Sequence, residues 1–264
     1  FQAWPFASVY LGPEGQIGGE ARERIAGFWK AVGQEPPAEP DHLAALLGLY
    51  CSLREAAADA EHPAQGRLLQ RAARVCLEEH VATWVFVFTD VVRSLGEPFY
   101  AAWATLLDDV LARVFAEGGT RWVSGGGDAR DGGDEAELPV ALRGIPRFDL
   151  PDAPDSAAAF LDALLAPART GFVITRETLR RGAQTLGLGL RQGERRYVLE
   201  SLLGQDAAGV LAFLAGEAEG WTARHRIRSV LMGPVAHWWE SRAQHAARVL
   251  AEAAASAGRG EEAS

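Results

Sequence analysis

The segment His80 to Val92 constrains the fold more than any other part of the chain. His80, Trp84, Phe88 and Val91 recur every three or four residues, which places them on one face of a helix. Phe86 and Val87 point elsewhere, so this helix is apolar nearly all round and is stable only when other helices surround it. The neighbouring sequence supplies them. Ile25, Phe28, Trp29 and Val32 form one stripe; Leu43, Leu46, Leu47 and Tyr50 a second; Leu68, Leu69, Ala72, Val75 and Cys76 a third. The third begins near Pro63 and either breaks before Glu78 or continues into His80. Gly96, Glu97 and Pro98 end the central helix, and Phe99 to Phe115 makes an amphipathic one. Strand-like alternation is confined to short pieces such as Gly171 to Thr175. The fold class expected is all-α, a helical bundle.

From Gly118 to Glu137 the composition turns to glycine and acid, with Gly125-Gly126-Gly127 and Gly132-Gly133 among Asp128, Asp131, Asp134 and Glu135. Such a stretch buries too little apolar area to order itself. Residues 118–155 therefore read as a flexible linker followed by a proline-spaced segment laid over the surface. A second helical section, residues 156–257, holds helices from Ser156 to Leu165, from Thr175 through Leu186, from Arg195 to Leu203, from Gly209 to Trp221 and from about Val235 to Ala255. Residues 258–264 read as a polar tail. This leaves 1–117 as the bundle core and 156–257 as an appended helical section.

With 264 residues, 48% of them hydrophobic, the chain can bury a core as one large domain or two small ones. Its 26 basic and 35 acidic residues give a net charge of -9, which repels nucleic acid and favours a basic partner, although solubility alone also explains it. Cys51 and Cys76 form no CxxC and have no histidine pair at ligand spacing, so neither zinc nor redox chemistry is supported; both read as core residues in a reducing compartment. Val81 to Val92, the longest apolar candidate, falls short of the roughly 18 to 20 residues of a membrane span. No export signal is seen, and the protein is expected in the cytoplasm.

At the head of the second stripe stands Glu39-Pro40-Asp41-His42-Leu43. Pro40 disfavours helix at Glu39, Asp41 can cap the next helix, and His42 falls in its first turn. Glu39 and Asp41 offer carboxylates to a guanidinium, and His42 can donate to a peptide carbonyl. Equally, Asp41 is only a cap and His42 is solvated. The pentapeptide resembles the signature of the TorD/DmsD/NarJ family of molybdoenzyme maturation chaperones. Pro5-Phe6-Ala7-Ser8-Val9-Tyr10-Leu11 with Glu14-Gly15, ahead of a helix from Ala21 to Val32, resembles another segment of that family. So does His80 to Val92 followed by Pro98-Phe99-Tyr100 and a helix to Leu111. The resemblance covers Phe1 to about Glu117. In the family helices precede the first of these segments, so the front of the bundle is expected ahead of Phe1.

The resemblance implies a TorD-like bundle acting as a cytoplasmic chaperone. It would bind the twin-arginine signal peptide, the apo catalytic subunit of a molybdopterin oxidoreductase, or both, aiding cofactor insertion and delaying export. No cofactor or metal of its own is implied, and a NarJ-like role on a client without an exported signal also fits. The expected peptide-binding residues are Glu39, Asp41, His42, His80, Trp84, Phe99 and Tyr100, the aromatic ones forming an apolar wall with Phe88. Ordinary core packing is the other reading, and the preferred one for Phe88. Tyr10, Glu14 and Gly15 either shape the same groove or make a turn.

No nucleophile, base and orienting group occur together, and Asp108-Asp109 point to different helix faces, so enzymatic activity has no visible carrier. The alternative function is a helix-turn-helix-like regulator using Thr175 to Leu203, with Arg176, Arg180, Arg181, Arg191, Arg195 and Arg196 touching phosphate. A solvated arginine hairpin is commoner and the acidic remainder opposes DNA, so no nucleic-acid partner is expected, nor insertion in a membrane. Exchange of helices through the glycine-rich linker is a route to homodimers.

Overall fold

The computed structural model describes residues 3–117, 138–150 and 157–262, and among these no strand is present. The first section holds α1 (Ala7–Leu11), α2 (Gly19–Ala31), α3 (Leu43–Ala58), α4 (Pro63–Val75), a π-helical segment (Cys76–Val81), α5 (Val85–Ser94) and α6 (Pro98–Glu117). After a short 3-10 turn (Val140–Leu142) come α7 (Ala157–Leu165), α8 (Pro167–Thr170), α9 (Arg176–Leu186), α10 (Arg195–Leu203), α11 (Ala207–Met232) and α12 (Pro234–Glu262). The all-α expectation holds. The linker read at 118–137 lies outside the described residues.

Helix α5 is the surrounded helix that its apolar circumference requires: Val85 to Thr89, Val91 and Val92 are all buried. The helix from Pro63 takes the second course expected of it and continues into His80, but not in α-helical form and not as far as Trp84. It widens at Cys76 into the π-helical segment, which turns Cys76, Leu77, His80 and Val81 all inward, and the chain breaks at Trp84 (φ -144°) before α5 starts. Cys76 is buried as expected, but Cys51 is exposed, because it sits on the face of α3 opposite Leu46, Leu49 and Leu53.

Helices α11 and α12 form an antiparallel hairpin. Arg226 meets Glu240 at 2.8 Å near the turn, and Gly258 lies against Ala208 at the far end. Gly233, with φ +45°, and Pro234 make the reversal. Between Trp221 and Met232 nothing breaks a helix, so α11 runs past the end expected for it. Because α12 continues beside the first turn of α11, residues 258–262 are helical and not a tail.

Both sections share one core, which runs from Phe6 to Ala254. Trp239 Nε1 donates to the carbonyl of Thr83 at 2.8 Å, and Arg228 Nη1 donates to that of Phe86 at 2.8 Å, so the hairpin is docked on the backbone around α5. The second section completes the bundle and is not an appendage. The segment after Pro139 is also more than a surface strap. Ala141, Leu142 and Phe148 are buried, and Arg242, stacked on Trp238 at 3.9 Å, donates to the carbonyls of Ile145 (2.6 Å) and Pro146 (3.0 Å).

Candidate functional site

The Glu39–Leu43 corner is laced to the chain that enters α1. Ala7 N–H donates to Asp41 O (3.0 Å), Leu43 N–H donates to Pro5 O (2.8 Å), and Phe6 and His42 pair as an isolated antiparallel bridge. Asp41 is 1% exposed, and one oxygen of its carboxylate accepts the Ser8 N–H (3.1 Å) and the Ser8 Oγ–H (2.6 Å). It therefore satisfies the first turn of α1 across space, where α1 has no cap of its own. The helix that follows is capped instead by His42, whose Nδ1 accepts the Ala44 N–H at 3.1 Å. That contact puts the neutral imidazole's proton on Nε2. Half-buried His42, edge-on to Phe6 at 5.0 Å, and exposed Glu39 are the parts of the corner that meet solvent.

His80 and Trp84 are interior residues, 6% and 1% exposed. Trp84 Nε1 donates to the His80 carbonyl at 2.7 Å and its ring stacks on Tyr10 at 5.3 Å. Burial, and secondarily the Arg24 guanidinium, pushes the His80 imidazole down to a pKa of about 4, so it is neutral at pH 7. Asp41, His80 and Trp84 thus do not line an open groove. Each is turned inward because its polar atoms or its ring find partners there, and Tyr10 joins them.

Phe99 and Tyr100 are placed differently, 74% and 59% exposed at the start of α6. Trp103 (38%), Leu106 (62%) and Val110 (46%) continue from Phe99 at helical spacing, giving α6 an uncovered apolar stripe. The opposite face, Ala104, Leu111 and Phe115, is buried. Trp103 contacts Phe88 and Phe88 contacts Tyr10, each at 6.2 Å between ring centroids, so the stripe stands on the aromatic core below it. The three residues beyond Tyr100 are not marked by the sequence, because helical spacing alone does not tell the exposed apolar face of α6 from the core-facing one.

Residues 2–90 match the family model of the nitrate reductase delta subunit. No curated protein and no solved structure matches the chain. The match supports kinship with the molybdoenzyme maturation chaperones as a group and does not single out TorD or DmsD. The stretch similar to the nitrate reductase delta subunit contains the Glu39–Leu43 corner, His80 and Trp84, and it ends within α5, before Phe99 and Tyr100.

Glu14 and Gly15 line a cleft of about 470 Å³ with Trp4, Arg176 and Arg195, where the delta-like segment meets α7, α9 and α10. Across the helical hairpin of Thr175 to Leu203, most of the arginines are occupied. Arg180 pairs with Glu177, Arg181 with Glu217 (2.6 Å) and Arg196 with Asp162, while Arg195 donates to Ile174 O at 2.9 Å and Arg191 to the Tyr197 hydroxyl at 2.8 Å. Three of these guanidiniums already face a carboxylate, which tells against the DNA-reading alternative. Among the described residues no three His, Cys, Asp or Glu side chains converge as for a metal, and no helix is long and apolar enough to cross a membrane.

Proposed function

We propose that this protein is a cytoplasmic maturation chaperone for the catalytic subunit of a molybdopterin oxidoreductase. The observation that carries the reading is the uncovered stripe of Phe99, Trp103, Leu106 and Val110, joined to a family match whose members mature such enzymes. The occupant of the stripe is an apolar segment of the client that carries positive charge, such as a twin-arginine signal peptide. Charge complementarity supports this choice: the chain bears -9 overall, and the exposed carboxylates of Glu97, just ahead of α6, and Asp109, on it, stand near the stripe. Phe99 and Tyr100 act as aromatic anchors for the apolar part. Glu39 offers a carboxylate to an arginine, and His42 offers its Nε2–H to a peptide carbonyl.

Calorimetry with the client's leader peptide tests the reading. Phe99→Ser and Leu106→Ser are expected to weaken binding at least tenfold, since each removes a hydrophobic anchor. Replacing both arginines of the peptide is expected to weaken it as well. Equal affinity for native and arginine-free peptides would remove the arginine contacts and favour a client segment without an export signal. Unchanged affinity in both stripe variants would remove the stripe as the docking face.

A further inference from the structure

Helix α2 and the π-helical segment bring together polar groups that the fold leaves unpartnered. His80 is 6% exposed and its Nδ1 has no hydrogen-bond partner. Nε and Nη2 of Arg24 are likewise shut off from solvent and unpartnered. Arg24 and Phe28 lie one turn apart on α2 and so share a face; Phe28 packs on the His80 ring at 4.5 Å. Arg24 also depresses the His80 pKa, as a cation close to the imidazole must. The carboxylates that act on Arg24, Glu20 and Glu79, do so without forming an ion pair with it, and Glu79 is engaged by the Val140 N–H at 2.6 Å.

The identity of the two orphaned nitrogens is informative. Nε–H and Nη2–H lie on one edge of the guanidinium and project in parallel, at the spacing of two oxygens of a carboxylate or phosphate. A guanidinium edge closed off from water and left unpaired is costly, and the cost is relieved when an oxyanion accepts both protons. His80, neutral, can carry its proton on Nδ1 and donate a third hydrogen bond. A π-helical turn holds that imidazole, and such turns recur at functional sites.

We infer that Arg24 and His80 form a binding site for a small free oxyanion of the carboxylate or phosphate class, two of whose oxygens rest on the Arg24 fork while His80 Nδ1–H donates to the anion. The burial of all three nitrogens favours a small ion over a peptide segment. Nothing in this site depends on the client-binding surface. It does sit beside the Glu39–Leu43 corner, since α2 also holds that corner through Trp29 Nε1 to Pro40 O at 3.2 Å and Arg22 Nη2 to Ala38 O at 3.1 Å.

The test is imidazole nitrogen NMR on the full chain, titrated with inorganic phosphate and, separately, with acetate, against chloride at matched ionic strength. A saturable shift of the His80 ring nitrogens with one or both oxyanions, absent with chloride, is the expected result, and the responding probe identifies the class. Arg24→Gln and Arg24→Lys are each expected to weaken that titration by about tenfold or more, the lysine variant because it keeps the charge but loses the fork. Circular dichroism establishes that the variants are folded. Should either fail to fold, the wild-type titration decides alone. His80 resonances unmoved by both probes, or titrating unchanged in a folded Arg24 variant, would leave only water at this position and overturn the site.

Discussion

The Asp41 carboxylate holds Ser8 twice, at 2.6 Å through the hydroxyl and at 3.1 Å through the backbone N–H. Removing one partner leaves the other buried and unsatisfied, which costs more than the bond itself contributes. Asp41→Ala is therefore expected to destabilise the chain by about 3 kcal/mol and Ser8→Ala by about 1 to 2 kcal/mol. The double variant should fall well short of the sum, measured from urea midpoints. An Asp41→Ala protein of unchanged midpoint that no longer binds peptide would return Asp41 to a surface role.

Gly15 has φ +63°, and a Cβ there would lie 2.8 Å from the Leu165 carbonyl oxygen and 3.0 Å from Ala166 Cα. Gly33 has φ +78° with open space around it. Gly15→Ala thus carries a steric clash in addition to backbone strain, while Gly33→Ala carries strain alone. The expected losses are about 2 to 4 and about 1 kcal/mol. Equal losses by thermal melting would mean that the α1–α2 loop is not pressed against the start of α8.

Burial pushes the imidazoles of both His80 and His225 down to about 4 from 6.5, and neutral His225 bonds the Gly171 carbonyl at 2.8 Å through Nε2. A base whose folded pKa is depressed takes up its proton first in the unfolded chain. Its contribution is thus complete above about pH 6.5, declines as the pH falls towards 4, and is constant below that. Each histidine is expected to withdraw on the order of 3 kcal/mol over this window. Urea midpoints followed from pH 7 to 4.5 should decline, and less steeply in His225→Gln than in wild type. Parallel slopes would contradict the burial of a neutral His225.

Leu106 and Phe115 occupy one helix with opposite fates, 62% and 0% exposed. Leu106→Ser should change stability by no more than about 0.5 kcal/mol, whereas Phe115→Ala should cost about 3 to 5 kcal/mol. Chemical denaturation distinguishes them directly. A large loss for Leu106→Ser would show that this face is covered in solution, for instance by a second copy of the chain.

Much of the fold was legible because helices are written locally. Thr175 opens α9 with a reciprocal capping pair to Thr178, and Arg195 to Leu203 is helical over the span its apolar spacing gives. The tryptophan pair Trp238 and Trp239 packs into the core as its position on the last helix suggests. What was not legible depends on partners distant in sequence. Asp41 reads as the cap of the helix beside it, yet its carboxylate serves Ser8, 33 residues away. His80 and Trp84 lie on one face by spacing, but spacing does not tell an inward face from a groove, and the π-helical turn that carries His80 inward leaves no mark in the residue pattern. The exposed stripe on α6 was legible only in part. Phe99 and Tyr100 stand out by resemblance, while Trp103, Leu106 and Val110 pass for core until Ala104, Leu111 and Phe115 are seen to fill that role.

The bonds from Trp239 to Thr83 and from Arg228 to Phe86 cross from the last two helices to the stretch shared with the delta subunit. The matched stretch and the packed core of this molecule consequently have different borders. A fragment trimmed to the matched stretch would bare the surroundings of Trp84 and Val87 to water, and it should be handled as an aggregation-prone piece, not as a minimal folded unit.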